Sequence, residues 1–582
     1  MRYLKILAGL AAIGLLVYGF LPWTPEERWL PCLWGATFLG GFAIWPNRVQ
    51  RATGIHTGTQ NLAFVLLIGF TMLTVQLLHI QVIRADSIYY RTVTDDEGNV
   101  TSNPRPVLAG GKVQRGTIFD QQGAVLAENI VTENNFSNRI YPIADQYNIE
   151  AFGHILGFVS SRYGLWGIES TFDDYLSGAK GNSWENMQNE IFNRPQRGNN
   201  LQLTINADLQ SRAYQLLDGR VGSVVVLDVK TGAIRAMASY PSFDPRGLTF
   251  DTTINDDQIG DENARIQAYW EQMVANEAHP LIYRATSGLY PPGSTFKTVT
   301  AVGVLNNADI GKPEDISCPE RFEADPNVSA EYAVRNAIDG EEGYIIQKYG
   351  PDYGLDGVYA FSCNTAFAQY GLRLQSDNRN GLAEQSERFH VYTPANLPDE
   401  GDLSDLPSAA SSLYSGEDGE DWWRQPVAVA DTAFGQGRLQ VTPLAMAQIA
   451  QAIGNNGTMM KPYLVERITT SDGRELFKAK PKAIGEPLTA EVARRMYQAM
   501  RAVIEGGWSG AAAAAVPGYS IGGKSGTAEN PQGAPHAWFI EIGPLEDPRY
   551  AVAVMIENGG EGTSVGGSLA GQVMAAALEI QP

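Results

Sequence analysis

The chain has few of the residues that build crosslinks, metal sites and nucleic-acid surfaces. It contains 3 cysteines and 6 histidines in 582 residues, and none of them is grouped with the spacing of metal ligands. Its 43 basic residues are outnumbered by 64 acidic ones, which gives a formal net charge of −21. Because an acidic chain repels phosphate backbones, we expect no nucleic-acid partner. We also predict no metal and no cofactor.

The cysteines are too few for a disulfide framework. Cys32 lies in an apolar stretch near the N-terminus, and Cys318 and Cys363 lie far along the chain. The last two could pair in principle, but we interpret them as free or buried thiols.

Charge is also missing from three long apolar runs, which cover residues 6–21, 29–45 and 62–78. Each run approaches the roughly 20 residues that cross a bilayer. Two basic residues precede the first run and two more lie between the second and the third, so the positive-inside rule places the N-terminus in the cytoplasm. The sequence therefore predicts a multi-pass protein of the cell membrane, with a membrane region over 1–84 and an extracytoplasmic remainder.

The remainder is long enough for two domains. Short strands and turns, preceded by an extended stalk, predict a first folded region over 85–220. At Val221 a hairpin of two apolar strands begins, and further strands are predicted at 538–543 and 550–558. Strands at both ends with helices between them imply one sheet in an α+β domain over 221–582.

The strongest local motif is Tyr290-Pro-Pro-Gly-Ser-Thr-Phe-Lys297. Ser294 can cap or open the following helix, where free N–H groups and the helix dipole are concentrated. Lys297 lies three residues on and therefore on the same face. A buried lysine beside other cations can act as a base. Alone, the pattern is common and a capping serine with a surface lysine accounts for it.

Two weaker motifs follow. In Ser362-Cys-Asn364 a hydroxyl can relay a proton and an amide can bind a peptide carbonyl. In Lys524-Ser-Gly526-Thr527, on a predicted strand, the lysine can face a substrate carboxylate and the glycine lets a peptide approach the strand. A turn and an ordinary strand with a solvated lysine would explain each motif alone.

The third segment also fits two unrelated patterns. Residues 518–525 satisfy the phosphate-loop pattern G-x-x-x-x-G-K-[ST], and residues 518–522 satisfy the nucleophile-elbow pattern around Ser520. Both patterns require a helix directly afterwards. Since a loop and another strand are predicted there, we reject both interpretations.

Ser-x-x-Lys, Ser-x-Asn and Lys-Ser/Thr-Gly in this order resemble the signature of penicillin-binding proteins and serine β-lactamases. Residues from about 75 onwards are similar to class B penicillin-binding proteins, including the pedestal motif Arg115-Gly-Thr-Ile-Phe-Asp120, Arg139 and Glu169. Two features depart from that family. Ser525 replaces the commoner threonine, and three apolar runs replace a single anchor.

The resemblance implies a transpeptidase domain whose antiparallel sheet has helices on both faces, preceded by an elongated mixed pedestal and transmembrane helices. Its ligands would be peptidoglycan stem peptides ending in D-Ala-D-Ala, and β-lactams. The implied site residues are Ser294, Lys297, Ser362, Asn364 and Lys524 for catalysis, Ser525, Gly526 and Thr527 for substrate binding, and the backbone N–H groups of Ser294 and Thr527 as the oxyanion hole.

Three related activities compete with this interpretation. A class A β-lactamase would need a Glu-x-x-x-Asn pattern, which is missing between Asn364 and Lys524. A D,D-carboxypeptidase or a β-lactam sensor with the same site stays open, although the predicted cytoplasmic loop over 46–60 is small for a signalling output. Class B proteins lack a glycan polymerase, which implies a polytopic polymerase partner of the shape, elongation, division and sporulation family. A role in division, elongation or sporulation is not distinguished.

Overall fold

A computed structural model describes the chain in segments, namely residues 2–20, 26–44, 54–80, 92–94, 100–102, 113–132, 136–181, 196–254, 258–307, 310–376, 380–399, 401, 405–531 and 533–580. The chain divides into two compact units, residues 1–110 and 111–582.

The first unit contains three helices and a hairpin, namely α1 (Arg2–Phe20), α2 (Glu26–Ile44), α3 (Gly54–Leu78), β1 (Thr92–Thr94) and β2 (Val100–Ser102). The three helices contain most of the predicted apolar runs, whose end residues Leu21 and Trp45 lie outside the described residues. Over the part of the chain that is described, no helix combines the length and the apolar character needed to cross a membrane. The predicted stalk lies largely outside the described residues, and its two described pieces pair as the antiparallel hairpin β1–β2.

The strands of the second unit are β3 (Ile118–Phe119), β4 (Val125–Val131), β5 (Ser137–Ile140), β6 (Phe158–Ser160), β7 (Gly164–Trp166), β8 (Asn200–Leu203), β9 (Gly222–Asp228), β10 (Ile234–Tyr240), β11 (Arg321–Phe322), β12 (Val334–Arg335), β13 (Val391–Tyr392), β14 (Ser411–Ser412), β15 (Met459–Met460), β16 (Val465–Thr469), β17 (Glu475–Lys478), β18 (Ala483–Gly485), β19 (Gly522–Ala528), β20 (His536–Gly543) and β21 (Tyr550–Ile556).

Its α-helices are α4 (Glu150–Leu156), α5 (Ile168–Thr171), α6 (Asp173–Leu176), α7 (Ala207–Leu217), α8 (Ile259–Ala275), α9 (Arg284–Ser287), α10 (Lys297–Asn306), α11 (Glu341–Tyr349), α12 (Gly354–Ala360), α13 (Asn364–Leu374), α14 (Gly381–Arg388), α15 (Gly419–Trp423), α16 (Pro426–Ala433), α17 (Pro443–Gly454), α18 (Ala490–Gly506) and α19 (Gly567–Glu579).

The central sheet is antiparallel, with the strand order β10-β9-β21-β20-β19. It joins strands from both ends of the predicted 221–582 segment, as the sequence predicts. The strands β9, β20 and β21 are buried almost throughout because helices cover both faces. A Cβ at Gly543 would approach Met574 of α19, whereas one at Gly522, which pairs with Ile542, would approach Met500 of α18. Since side chains alternate along a strand, α18 and α19 lie on opposite faces.

A second sheet has the order β17-β16-β8-β3-β4-β5. Strands β3, β4, β5 and β8 come from the predicted pedestal, but β16 and β17 come from beyond residue 460. In the pairing of β8 with β16, Leu201 lies opposite Ile468. The sequence does not predict this exchange, because alternation along a strand indicates a buried face without identifying the partner strand.

Three charged residues of the pedestal motif form a buried cluster beside this sheet. The Glu169 carboxylate is fully buried and accepts Nε–H of Arg115 at 2.8 Å and Nε–H of Arg139 at 2.7 Å. Burial alone would raise the pKa of Glu169, but the two guanidinium groups outweigh it and lower that pKa below its ordinary value. The cluster joins three segments of the chain by charge.

Candidate active site

Ser294 lies in a 3-10 turn, Gly293–Phe296, that runs directly into α10. The structure therefore places the serine at the start of the helical segment, as predicted, although the N-cap position of the turn is occupied by Pro292. Gly293 adopts the left-handed region with φ of 54°, and a Cβ there would lie 2.8 Å from the carbonyl oxygen of Thr527. A larger residue would collide with β19, so glycine allows the nucleophile turn and the third motif to touch.

Lys297, the first residue of α10, is fully buried and its amine points at the second motif. Nζ donates to the backbone oxygen of Ser362, to Oγ of Ser362 at 3.1 Å and to Oδ1 of Asn364 at 2.7 Å. The amine also lies 5.5 Å from the ring centroid of Phe367. These three acceptors match the three N–H groups of the protonated amine, whereas the neutral amine would donate to two of them and keep a lone pair.

Lys524 reaches the same hydroxyl from β19. Its Nζ donates to Oγ of Ser362 at 2.9 Å and to the backbone oxygen of Ser525 at 3.1 Å. Because both lysine amines contact one oxygen, they lie within about 6 Å of each other, where two unit charges repel by about 3 kcal/mol at an effective dielectric constant of about 20. The site therefore disfavours two protonated amines at once.

Burial and this proximity change the titration of both amines. Burial lowers the pKa of Lys524 to about 7. Burial, and then the charge of Lys524, lower the pKa of Lys297 well below its ordinary value. A neutral amine is therefore accessible near pH 7, which a general base requires.

Ser362 is held in an uncommon conformation between the two amines. Its φ is 67°, in the left-handed region that a non-glycine residue seldom adopts. Its hydroxyl accepts from both lysines and keeps its own proton to donate elsewhere. Backbone strain of this kind persists where the surrounding contacts determine the geometry. Here those contacts include the lysine hydrogen bonds to the hydroxyl and to the backbone oxygen of Ser362.

The third motif forms β19, the edge strand of the central sheet. A Cβ at Gly526 would lie 2.6 Å from the carbonyl oxygen of Pro292, so the strand can lie against the nucleophile turn only without a side chain. Thr527 is exposed and its Oγ1 accepts the N–H of Gly562 at 3.1 Å, while Ser525 is 7% exposed. Of the two predicted carboxylate-binding hydroxyls, Thr527 is the more open to a ligand.

The interpretation of two cysteines as thiols was wrong. Cys318 and Cys363 form a disulfide with a Cα–Cα distance of 6.1 Å. Cys363 is the middle residue of the second motif, so the disulfide ties this motif to the segment around Cys318. Oγ1 of Thr365 also donates a 2.8 Å hydrogen bond to the backbone oxygen of Pro319 in that segment. Because the cysteines are 45 positions apart in the sequence, their proximity depends on the tertiary fold and could not be predicted from their spacing.

Sequence reasoning also missed Glu341, the first residue of α11. Its side chain is buried and its Oε2 accepts no hydrogen bond within the described residues. Burial raises the pKa of this carboxyl to about 7, against the opposing charges of Lys297 and Lys524. No sequence pattern distinguishes Glu341 from the acidic residues beside it in the chain.

Known proteins are similar to this chain in both sequence and fold. Residues 222–579 match the penicillin binding protein transpeptidase domain, and residues 115–201 match the penicillin binding protein A dimerisation domain. The peptidoglycan D,D-transpeptidase PbpA of Mycolicibacterium smegmatis is 31% identical over 487 residues, covering 81% of this chain and 89% of that protein.

Two solved structures have a similar fold. Penicillin-binding protein A from M. tuberculosis, as a ceftriaxone acyl-enzyme complex, superimposes with a TM-score of 0.67 at 27% identity, covering 81% of this chain and all of the other. The D,D-transpeptidase domain of a peptidoglycan glycosyltransferase from Eggerthella lenta gives a TM-score of 0.64 at 31% identity, covering 81% of this chain and 99% of the other. With its three motifs in order around one pair of buried lysines, the chain belongs to the penicillin-binding protein transpeptidase family, as a class B member.

Proposed function

We propose that this protein is a serine D,D-transpeptidase that cross-links peptidoglycan stem peptides through an acyl-enzyme on Ser294, and that β-lactams acylate the same serine. The observation that carries the proposal is the pair of buried amines, Lys297 and Lys524, which both contact Ser362 beside the nucleophile turn. The relatives named as D,D-transpeptidases and the acyl-enzyme complexes of similar fold support it.

In the first half-reaction Oγ of Ser294 attacks the carbonyl of the penultimate D-alanine. Neutral Lys297 takes the hydroxyl proton, a role supported by its burial and by the lowered pKa of its amine. The C–N bond to the terminal D-alanine breaks, and the departing nitrogen takes a proton relayed from Lys524 through Ser362. The atoms and protons balance as one acyl-enzyme and one free D-alanine.

In the second half-reaction the amine of a neighbouring stem peptide attacks the ester carbonyl. Its proton returns to the site, the C–O bond to Ser294 breaks and the serine recovers its hydroxyl. Backbone N–H groups of Ser294 and Thr527 would hold the oxyanion in both steps, and a single such donor is worth about 3–4 kcal/mol in other enzymes. Asn364 would hold the donor peptide, while Ser525, Gly526 and Thr527 would bind its carboxylate end.

The first experiment is covalent labelling with a fluorescent penicillin. The wild-type chain should be labelled on the peptide that contains Ser294, and Ser294→Ala should lose the label. Ser520→Ala is the matched control, since Ser520 occupies the rejected nucleophile-elbow pattern and should keep full labelling. Labelling that persists in Ser294→Ala would refute the assignment.

A second measurement separates the transpeptidase from a carboxypeptidase or a sensor. A stem peptide ending in D-Ala-D-Ala is incubated with and without an amine acceptor, and D-alanine and cross-linked product are measured. A transpeptidase forms the cross-linked product, and a carboxypeptidase forms only hydrolysed peptide. A sensor forms neither product.

We further propose that residues 1–84 anchor the protein in the cell membrane with the catalytic region outside, and that a polytopic glycan polymerase is its partner. The three apolar runs and the flanking basic residues support the first proposal. A class B assignment supports the second, because such proteins lack a polymerase of their own. Extraction of the protein from membranes by alkaline carbonate would contradict the membrane anchor. Protection of the catalytic region from external protease in spheroplasts would contradict the orientation.

A further inference from the structure

Glu341 is an inward-facing acid on a helix that is otherwise mostly solvated. In α11 only Glu341 and Ile345 are buried, and they lie one turn apart on the same face. Ile345 packs against α12, where a Cβ at Gly357 would lie 2.7 Å from its Cγ2. Since α12 ends just before Ser362, this face of α11 is directed towards the second motif.

The segment that precedes α11 is bound to the same motif. Nδ2 of Asn364 donates to the oxygen of Arg335 at 3.0 Å, and Oδ1 of Asn336 accepts the N–H of Thr365 at 3.1 Å. A left-handed Gly340, with φ of 72°, then turns the chain into α11. The segment that leads into Glu341 is thereby fixed against the second motif, whose Asn364 accepts from Nζ of Lys297.

The charges that act on this carboxyl are those of Lys297 on α10 and Lys524 on β19. The other charged groups nearby have different partners. Glu342 accepts from the hydroxyl of Tyr353 at 2.5 Å, and Asp356 of α12 pairs with Arg495. The Glu341 side chain is 98% buried with an unpartnered Oε2, so solvent does not screen its interaction with the lysines.

A buried site with two amines and no counter-charge would tend to lose both protons. The mechanism above requires one neutral amine as base and one protonated amine as acid. We propose that Glu341 is a positioning residue that acts through Lys297 and Lys524: its carboxylate keeps one proton on the lysine pair, so that at neutral to alkaline pH the site holds one base and one acid. This inference rests on the proposed function, since it concerns the same half-reaction.

The test is the pH dependence of the second-order rate of acylation by a fluorescent penicillin, measured on the full chain in detergent from pH 5 to 10. The carboxylate raises the pKa of both amines, so Glu341→Gln should lower both. Because the pKa of Glu341 is about 7, its charge is present mainly above that pH. The alkaline limb, which needs protonated Lys524, should therefore move to lower pH by about one unit, while the acid limb, which needs neutral Lys297, should move less. At a fixed pH on the alkaline limb the rate falls about tenfold.

Glu342→Gln is the matched control, because it removes the same charge from the adjacent residue of the same helix. Its pH profile should coincide with that of the wild type. If Glu341→Gln lowers the rate equally at every pH, or leaves the profile in place, Glu341 is only structural and the inference is wrong.

A further variant keeps the inference testable if Glu341→Gln does not fold. Glu341→Asp retains the charge and should keep the wild-type pH optimum, whereas a displaced optimum would overturn the inference. A wild-type chain that is not acylated at any pH would refute the proposed function instead, so the two failures are distinguishable.

Discussion

Replacing Glu169 by glutamine should destabilise the protein more than any exposed charge substitution. The Glu169 carboxylate is fully buried, and the side chains of Arg115 and Arg139 are 9% and 2% exposed. The amide of glutamine can still accept one hydrogen bond, but it removes the charge that the two buried guanidinium groups share, and leaves Arg115 with the partly exposed Asp173. Breaking a buried pair in this way costs about 3–5 kcal/mol. With Arg139 left uncompensated and Arg115 still paired with Asp173, we expect a cost within that range.

The measurement is the unfolding of the full chain in urea, followed by tryptophan fluorescence, with thermal midpoints as a second readout. Asp173→Asn is the matched control. Asp173 also pairs with Arg115, but its side chain is 42% exposed, so its loss should cost less than about 1 kcal/mol. The contrast between the two variants separates burial from charge pairing as such.

The pH dependence gives a second check. The folded-state pKa of Glu169 is lowered, so its contribution to stability is present above the carboxyl's ordinary pKa and is lost as the pH falls through the folded value. Wild type and Glu169→Gln should therefore converge in acid and diverge towards neutral pH. If Glu169→Gln unfolds like Asp173→Asn at pH 7, the buried cluster does not stabilise the pedestal and this reasoning fails.

Three further outcomes are expected. Cys318→Ser should lower the thermal midpoint and slow penicillin acylation, because a disulfide that closes a loop of 45 residues contributes about 4 kcal/mol in the chain-entropy account. The control Cys32→Ser should change neither the thermal midpoint nor the acylation rate. Gly526→Ala should reduce acylation at least tenfold through its collision with the nucleophile turn, whereas Gly343→Ala, with open space around its Cβ in a helix, should slightly stabilise the chain. Burial raises the pKa of the Glu541 carboxyl well above its ordinary value. The wild type should therefore lose stability as the pH rises above that ordinary value. Glu541→Gln should narrow the difference between the thermal midpoints at pH 5 and pH 8.

The order of the three motifs and the strands at both ends of the catalytic segment could be predicted from the sequence. Alternation and turn residues are local signals, and they indicated the hairpin of β9 and β10 as well as the extended third motif around Lys524. The motif order supplied the group of side chains that the structure brings to Ser362. What local patterns cannot supply is which distant segment a side chain meets.

That limit explains the parts that sequence reasoning missed. The partner of Cys318, the lysines that Glu341 faces and the two arginines around Glu169 all depend on contacts between residues far apart in the chain. The sequence does not show whether a given glutamate is exposed in an acidic stretch or buried in a core. Only burial and the absence of a hydrogen-bond partner distinguish Glu341 from its neighbour Glu342.

The shared sheet has a consequence for how the second unit can be divided. Strands β16 and β17 lie within the catalytic segment by sequence, yet they complete the sheet that contains the pedestal strands β3, β4 and β8. A cut near residue 220 would leave β16 without β8 and expose an unpaired strand edge, which favours aggregation. The buried Glu169 cluster would stay with β3, β4, β5 and β8, but its sheet would lose β16 and β17. The smallest fragment that can keep the penicillin-reactive site folded is therefore the whole of 113–580, with pedestal and catalytic segment together.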